Sequence, residues 1–167
     1  MEYVKNMFRI YQSEIFVAVD AIYYDDTTID RNKNYHINGA DGTTISWDST
    51  NKALKIICGT NIGRDYVQLM SSASALDLSE IVGKTVRFKV NIFGLDGKEV
   101  RLNVYDNTTS LGYSKYSSVD GEQYVDATIP SNPNTPIIFR ITPNASQSTL
   151  WSQGATYYFN DFTIYPI

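Results

Sequence analysis

Apolar and polar residues alternate along two neighbouring stretches of the sequence, and this two-residue period limits the fold more than any other feature. The apolar members are Val86, Phe88, Val90 and Ile92, followed by Val100, Leu102 and Val104. A period of two is typical of a β-strand with one buried face, whereas an amphipathic helix repeats every 3.6 residues. Both stretches are therefore predicted to be strands with one side in the core.

The segment between the two stretches, Gly94-Leu95-Asp96-Gly97-Lys98, has the glycine and aspartate content of a tight turn. Glycine accepts a positive φ because it has no Cβ to clash. We therefore predict one antiparallel hairpin over residues 84–106. Its outward face is predicted to carry Arg87, Lys89 and Asn91 together with Arg101, Asn103 and Tyr105.

Further strands are predicted where tyrosine, threonine and branched apolar residues lie between turn signals. These strands cover residues 43–48, 52–58, 64–70, 110–117, 122–129, 136–142 and 155–165. One helical turn is predicted over residues 76–81, ending at Gly83, where a left-handed conformation suits glycine. At 167 residues the chain fits a single domain. The predicted fold class is an all-β antiparallel sandwich.

The first 22 residues carry a different pattern. A heptad seam is formed by Val4, Phe8, Tyr11, Ile15, Ala18 and Ile22. Because Val17 and Val19 alternate as in a strand, we predict a short N-terminal arm or helix followed by a strand from about residue 15; a continuous coiled coil is the alternative. The arm, residues 1–22, is predicted to make the protein a homo-oligomer unless it packs on its own sandwich, residues 23–167.

Charge and hydropathy argue against two classes of partner. The chain has 14 basic and 18 acidic residues, a formal net charge of −4 and no basic run, so nucleic acid is not an expected partner. The longest apolar run, residues 15–19, is far shorter than the roughly 18 residues of a membrane span. With no signal-peptide layout at the start, we expect a virion component or a domain of a longer protein on an extracellular surface.

The sequence offers little to catalysis. The only histidine is His36, and the sequence has no Gly-x-Ser-x-Gly motif whose serine it could activate. A tetrahedral zinc site is also excluded, because one histidine and one cysteine, Cys58, cannot supply its ligands. A single cysteine also excludes an internal disulfide. Glycoside hydrolysis needs two carboxylates across a cleft, for which Glu99 and Glu122 are the candidates. The prediction is a protein that is not an enzyme, with a glycoside hydrolase as an alternative.

Segments at both ends of the sequence resemble jelly-roll carbohydrate-binding modules. The opening segments are Tyr23-Tyr24-Asp25-Asp26-Thr27-Thr28, then Tyr35, then Thr44-Ile45-Ser46-Trp47; the closing segment is Thr156-Tyr157-Tyr158-Phe159-Asn160-Asp161-Phe162-Thr163-Ile164-Tyr165. Residues 76–90 are similar to the family's leucine-containing turn, Gly-Lys pair and core strand. The resemblance covers residues 23–167. It implies a jelly roll that binds a glycan or cell-surface polysaccharide, as in polysaccharide-degrading enzymes, adhesins and phage tail proteins.

The resemblance also implies a sugar-binding surface. Aromatic rings pack on the apolar faces of pyranose rings, and amide and guanidinium groups bond the hydroxyls. The predicted ligand-binding residues are Tyr105, Arg101, Asn103, Tyr113, Tyr116 and Trp151. Of the two tryptophans, Trp151 has the surroundings expected of an exposed ring. A structural assembly module without a glycan ligand is the alternative.

A structural calcium ion is implied by the same resemblance, which places the first and last strands side by side. The predicted ligands are Asp161 with Asp25 or Asp26, because calcium takes six to eight oxygen ligands from carboxylates and carbonyls. Asn160 stands where the family often has the first of two acidic residues.

Overall fold

The fold is a sandwich of two five-stranded sheets, seen in a computed structural model that describes residues 35–37, 42–60, 67–70, 79, 81–134, 136–147 and 150–167. The strands are β1 (Tyr35–Ile37), β2 (Thr44–Asp48), β3 (Ala53–Ile57), β4 (Val67–Met70), β5 (Thr85–Phe93), β6 (Val100–Asp106), β7 (Thr109–Tyr113), β8 (Gly121–Thr128), β9 (Ile137–Pro143) and β10 (Thr156–Pro166). Sheet I has the order β1-β4-β9-β6-β7, and sheet II has the order β2-β3-β10-β5-β8.

The predicted fold class is confirmed. All neighbouring strands in both sheets are antiparallel, and the chain passes repeatedly from one sheet to the other, as in a jelly roll. Each of the seven further strands predicted from the sequence is present, with ends that differ by a few residues. Gly83 has the left-handed φ expected there, +76°. Most of the helical turn predicted before it lies outside the described residues.

The core lies between the sheets and is built from the inward positions of the alternating strands. Val86, Phe88, Val90 and Ile92 of β5 and Val100, Leu102 and Val104 of β6 are all fully buried. The ring of Phe88 joins the two sheets: its centroid lies 4.6 Å from that of Phe162 in β10 and 5.5 Å from that of Phe139 in β9. The buried faces predicted from the two-residue period are therefore confirmed.

The predicted hairpin over residues 84–106 is wrong. β5 pairs with β8 and β10 in sheet II, whereas β6 pairs with β7 and β9 in sheet I, so the two strands never pair with each other. Their outward faces consequently lie on opposite sides of the sandwich. Arg87, Lys89 and Asn91 do not share a face with Arg101, Asn103 and Tyr105. The alternation shows which face of a strand is buried. It does not show which sheet the strand belongs to, because a strand buries one face in either sheet.

The segment that carries the chain from β5 to β6 is anchored in the core and to the loop before β8. Leu95 is fully buried, and the carboxylate of Asp120 accepts hydrogen bonds from the backbone N–H groups of Gly94 and Leu95, both at 3.0 Å. The turn itself is closed by Lys98 N–H donating to the Leu95 carbonyl at 2.8 Å. Because Leu95 enters the core, the segment crosses the end of the sandwich instead of reversing within one sheet.

The predictions for residues 1–22 lie outside the described residues, and the boundary between an N-terminal arm and the sandwich at residue 23 stays a prediction. Homo-oligomerisation through that arm also stays a prediction. In the part of the chain that the structure describes, no helix has the length and apolar character needed to cross a membrane.

Candidate functional site

The outer face of sheet I gathers polar and aromatic side chains from three adjacent strands. It is formed by Arg101, Asn103 and Tyr105 of β6, Tyr113 of β7, Arg140 and Thr142 of β9, and Tyr116 just after β7, and is called here the arginine–tyrosine face. The β6 members face outward because Val100, Leu102 and Val104, which alternate with them, are in the core.

The backbone register aligns these residues in rows across the sheet. Tyr113 is opposite Asn103, which is opposite Arg140, and the register continues through Gln68 of β4 to His36 of β1. This row crosses all five strands, so with about 4.8 Å between neighbours it spans roughly 19 Å. A neighbouring row brings Arg101 opposite Thr142. The face therefore offers an extended track across the strands.

Two arginine–tyrosine stacks form the body of the face. The guanidinium carbon of Arg101 lies 5.4 Å from the ring centroid of Tyr113 and 4.8 Å from that of Tyr116. The guanidinium carbon of Arg140 lies 4.7 Å from the ring centroid of Tyr105. A cation at these distances is attracted by the negative face of the ring. The two stacks together contain five planar groups, two guanidinium groups and three tyrosine rings.

The backbone after β7 keeps Tyr116 beside Arg101. Ser114 N–H donates to the Leu102 carbonyl and Ser117 N–H donates to the Val100 carbonyl, both at 2.9 Å, so the chain continues alongside β6 beyond the end of β7. The Leu102 N–H in turn donates to the hydroxyl of Ser114 at 3.0 Å. Tyr116 is thus positioned by backbone hydrogen bonds on both sides of it.

Exposure increases across the face from β6 to the β7 edge. Asn103 is 1% exposed, Tyr116 is 36% exposed and Tyr113 is 65% exposed. The hydroxyl of Thr142 donates to Oδ1 of Asn103 at 2.9 Å. This bond fixes the orientation of the Asn103 amide and does not involve its Nδ2. A ligand would therefore reach the aromatic edge first.

Electrostatically the face is positive on a protein whose net charge is −4. Within the strands of sheet I as described, the only carboxylate belongs to Asp106, which is 5% exposed at the end of β6. No ion pair of Arg101 occurs among the described residues, and its buried Nε has no hydrogen-bond partner. Lys115, exposed between Tyr113 and Tyr116 in the chain, adds a further positive charge.

The outer face of sheet II is built differently, because the two cations of β5 are paired with acids on the neighbouring strand β8. Arg87 bonds Asp126 through Nε at 2.7 Å and Nη2 at 2.8 Å, and Lys89 lies 2.9 Å from Glu122. Nδ2 of Asn91 donates to Oδ1 of Asn160 at 2.8 Å. These groups satisfy one another, so the part of this face around β5 has fewer donors to offer a ligand.

The Arg87–Asp126 pair predicts a small dependence of stability on pH. Hydrogen bonds from Arg87 lower the pKa of Asp126 below its ordinary value, so the stabilisation is present above the unfolded-state pKa and is lost as the pH falls through the folded-state pKa. Both side chains are partly exposed, which limits the effect. We expect Asp126→Asn to lower the free energy of unfolding at pH 7 by about 0.2–1 kcal/mol.

Urea unfolding of both proteins between pH 2.5 and 7 measures this effect. The difference between them should shrink below about pH 4, where the wild-type carboxyl also becomes neutral. A difference that persists unchanged at pH 2.5 would contradict the assignment.

Five of the six ligand-binding residues predicted from the sequence, all except Trp151, lie together on the arginine–tyrosine face. Their role in binding stays a prediction. The expected exposure of Trp151 is wrong: its side chain is 0% exposed, and its Nε1 donates to the Glu99 carbonyl at 3.0 Å. Trp151 belongs to the core because the indole fills the end of the sandwich, although Ser152 and Gln153 beside it are exposed.

Sequence reasoning missed Arg140 and Thr142. The signal was present, since Phe139 and Ile141 of β9 are fully buried and Arg140 and Thr142 alternate with them. What the sequence lacked was the pairing of β9 with β6, which places Arg140 opposite Asn103 and Thr142 opposite Arg101.

The calcium site stays a prediction. Asp161 is exposed at a β-bulge in β10, where its φ is +51°. The pKa of the Lys89 ammonium group is raised mainly by its hydrogen bond with Glu122, and the charge of Asp161 adds a smaller contribution. Asp25 and Asp26 lie outside the described residues. Within the described part of the chain, no group of three or more His, Cys, Asp or Glu side chains is arranged to hold a metal ion.

The two carboxylates considered for glycoside hydrolysis are engaged separately. Oε2 of Glu99 accepts a hydrogen bond from Nδ2 of Asn144 at 2.6 Å, beside the start of β6. Glu122 pairs with Lys89 on the outer face of sheet II. The structure does not bring the two into one hydrogen-bonded group.

Comparison with known proteins identifies solved structures that share this fold. No family profile and no curated protein matches the chain. Among solved structures, the C-terminal family 22 carbohydrate-binding module of Clostridium thermocellum Xyn10B is 13% identical with a TM-score of 0.50, over 87% of this chain and 94% of that one. A xylan-binding domain of the same family gives the same values. The chain therefore has the fold of these carbohydrate-binding modules.

Proposed function

We propose that this protein is a non-catalytic carbohydrate-binding module that holds its glycan on the arginine–tyrosine face. The observation that carries the proposal is the clustering of Tyr105, Tyr113 and Tyr116 with Arg101 and Arg140 in two stacks on one side of the sandwich. The solved structures that share the fold support it, because they are carbohydrate-binding modules and one is described as a xylan-binding domain.

The chemistry of the face suits a sugar chain. A pyranose ring has an apolar C–H surface that packs on aromatic rings, and Tyr113 and Tyr116 are the exposed rings of this face. Its hydroxyl groups need donors and acceptors, which the guanidinium groups and the Thr142 hydroxyl provide. The row that crosses the five strands gives room for a chain of several sugars.

A receptor-binding role on a virion or other extracellular surface, as part of a phage tail or adhesin, belongs to the same proposal. A shallow face binds one sugar chain weakly, and presentation in several copies raises the overall affinity through effective concentration. Such copies are held together in a virion or on a cell surface.

We expect the double variant Tyr113→Ala, Tyr116→Ala to weaken glycan binding by roughly tenfold or more, because it removes both exposed rings from the face. A glycan array would first identify a ligand, and isothermal titration would then measure its Kd with each protein. Both changes lie at the surface, so thermal melting should stay close to that of the wild type.

Tyr124→Ala is the matched control. Tyr124 is 52% exposed on the outer face of sheet II and lies under Arg87, whose guanidinium carbon is 4.1 Å from its ring centroid. The control should bind as the wild type does. Loss of binding in the control alone would move the site to sheet II, and silence of the wild type across a broad array of microbial and plant glycans would favour a structural assembly module.

A further inference from the structure

We infer that the glycan held on the arginine–tyrosine face is acidic, a polysaccharide that carries uronate carboxylates or sulfate groups. The inference rests on the proposed function and adds the chemical class of the ligand. It is drawn from the contrast between the cations of the two outer faces.

On sheet II, both cations of β5 have a carboxylate on the neighbouring strand β8, Asp126 for Arg87 and Glu122 for Lys89. The outward cation of β3, Lys55, lies over the Tyr158 ring. On sheet I, Arg101 forms no ion pair with any described residue. Arg101 instead lies over the rings of Tyr113 and Tyr116. A guanidinium held in this way keeps its charge and its terminal N–H donors for a ligand.

The surroundings of Arg101 make an anion the best complement. Its Nε is buried without a hydrogen-bond acceptor, so part of the hydration of the cation has been lost without replacement. A carboxylate or sulfate matches the planar fork of the guanidinium and forms shorter, stronger bonds than a neutral hydroxyl does. Lys115, exposed beside the same two tyrosines, adds to the positive potential at this edge.

The negative charge of the rest of the protein restricts the binding of an acidic glycan to one region of the surface. With a net charge of −4, the chain as a whole repels a polyanion, so attraction must come from a region where cations are not neutralised. Arg101 on the outer face of sheet I provides such a region, because it forms no ion pair with any described residue. A sugar chain lying across the strands would bring its acidic groups to Arg101 at the β7 edge.

Two matched pairs of polymers test the inference by isothermal titration. Polygalacturonate and its methyl ester differ in the charge of a carboxyl group, and dextran sulfate and dextran differ in sulfate. We expect the wild type to bind the charged member of at least one pair roughly tenfold more tightly than the neutral member, with an affinity that falls as salt rises. The pair whose charged member binds more tightly shows whether the anion is a carboxylate or a sulfate.

Arg101→Gln and Arg87→Gln are the matched variants, since each removes one positive charge from the outer face of a central strand. The preference for the charged polymer should be lost in Arg101→Gln and kept in Arg87→Gln. Arg101→Lys, which keeps the charge but loses the planar fork, should retain part of it. Thermal melting checks that each variant is folded.

Three results would overturn the inference: equal affinity for the charged and neutral members of both pairs, an equal loss in both glutamine variants, or no binding of either charged polymer. The first and third leave the proposed function standing if neutral glycans still bind and the Tyr113→Ala, Tyr116→Ala variant weakens that binding. Failure of the proposed function is the separate result that no glycan of any charge binds to this face.

Discussion

Trp151→Ala is expected to lower the free energy of unfolding by about 3–5 kcal/mol, the range for removing a buried large aromatic side chain. The indole is 0% exposed, its ring is perpendicular to that of Tyr157 at 5.4 Å, and its Nε1 bonds the Glu99 carbonyl. Alanine would leave a cavity at the end of the sandwich and a carbonyl without its donor. For a domain of this size, the melting temperature should fall by roughly 10 °C.

Denaturant unfolding followed by circular dichroism measures this loss. Leu150→Ala is the control, because Leu150 precedes the tryptophan directly and is exposed, so its truncation should change stability by no more than about 0.5 kcal/mol. If Trp151→Ala instead left stability unchanged and abolished glycan binding, the indole would belong to the binding surface as the sequence suggested.

Gly112→Ala is expected to cost about 1–3 kcal/mol of stability, although it adds only one methyl group. Gly112 is in β7, the edge strand of sheet I, and a Cβ built on it would lie 2.8 Å from the backbone carbonyl oxygen of Asp126 in β8 and 3.2 Å from the Cβ of Ala127. A backbone atom cannot move aside as a flexible side chain can. The alanine therefore has to push the two edge strands apart.

Thermal and denaturant unfolding of Gly112→Ala test this contact, with Ser110→Ala as the control in the same strand. Ser110 is exposed, so its variant should be within about 0.5 kcal/mol of the wild type. Because Tyr113 follows Gly112 directly, the glycine variant should also weaken glycan binding. A Gly112→Ala protein as stable as the wild type would show that β7 and β8 do not approach each other this closely.

The sequence was sufficient to predict those features of the fold that depend on one strand alone. Alternation along β5 and β6 identified their buried residues correctly, because a strand with one face in the core has the same two-residue period wherever it lies. Membership of a sheet depends on remote partners. The crossing between β5 and β6 is fixed by Leu95 in the core and by Asp120, which bonds the Gly94 and Leu95 backbone from 25 or 26 residues away.

The candidate site was predictable for the same local reason. Arg101, Asn103 and Tyr105 alternate along β6, so their spacing placed them on one face of the strand, and the pairing of β6 with β7 adds Tyr113 to that face. Arg140 reaches the same face through a pairing between distant strands, which no local pattern encodes. Trp151 was misjudged because polar neighbours indicate an exposed segment of backbone, and one ring can still turn inward to the Glu99 carbonyl.

The position of β10 has a consequence for how the protein folds as it is made. β10 lies between β3 and β5 in sheet II, and its Asn160 bonds the Asn91 side chain across 69 residues and the Lys52 carbonyl across 108 residues. A ribosome therefore releases β3 and β5 long before the strand that joins them. Until then each has an unsatisfied edge, which is open to wrong pairing. Sheet II is expected to close late and slowly, after synthesis has passed β10.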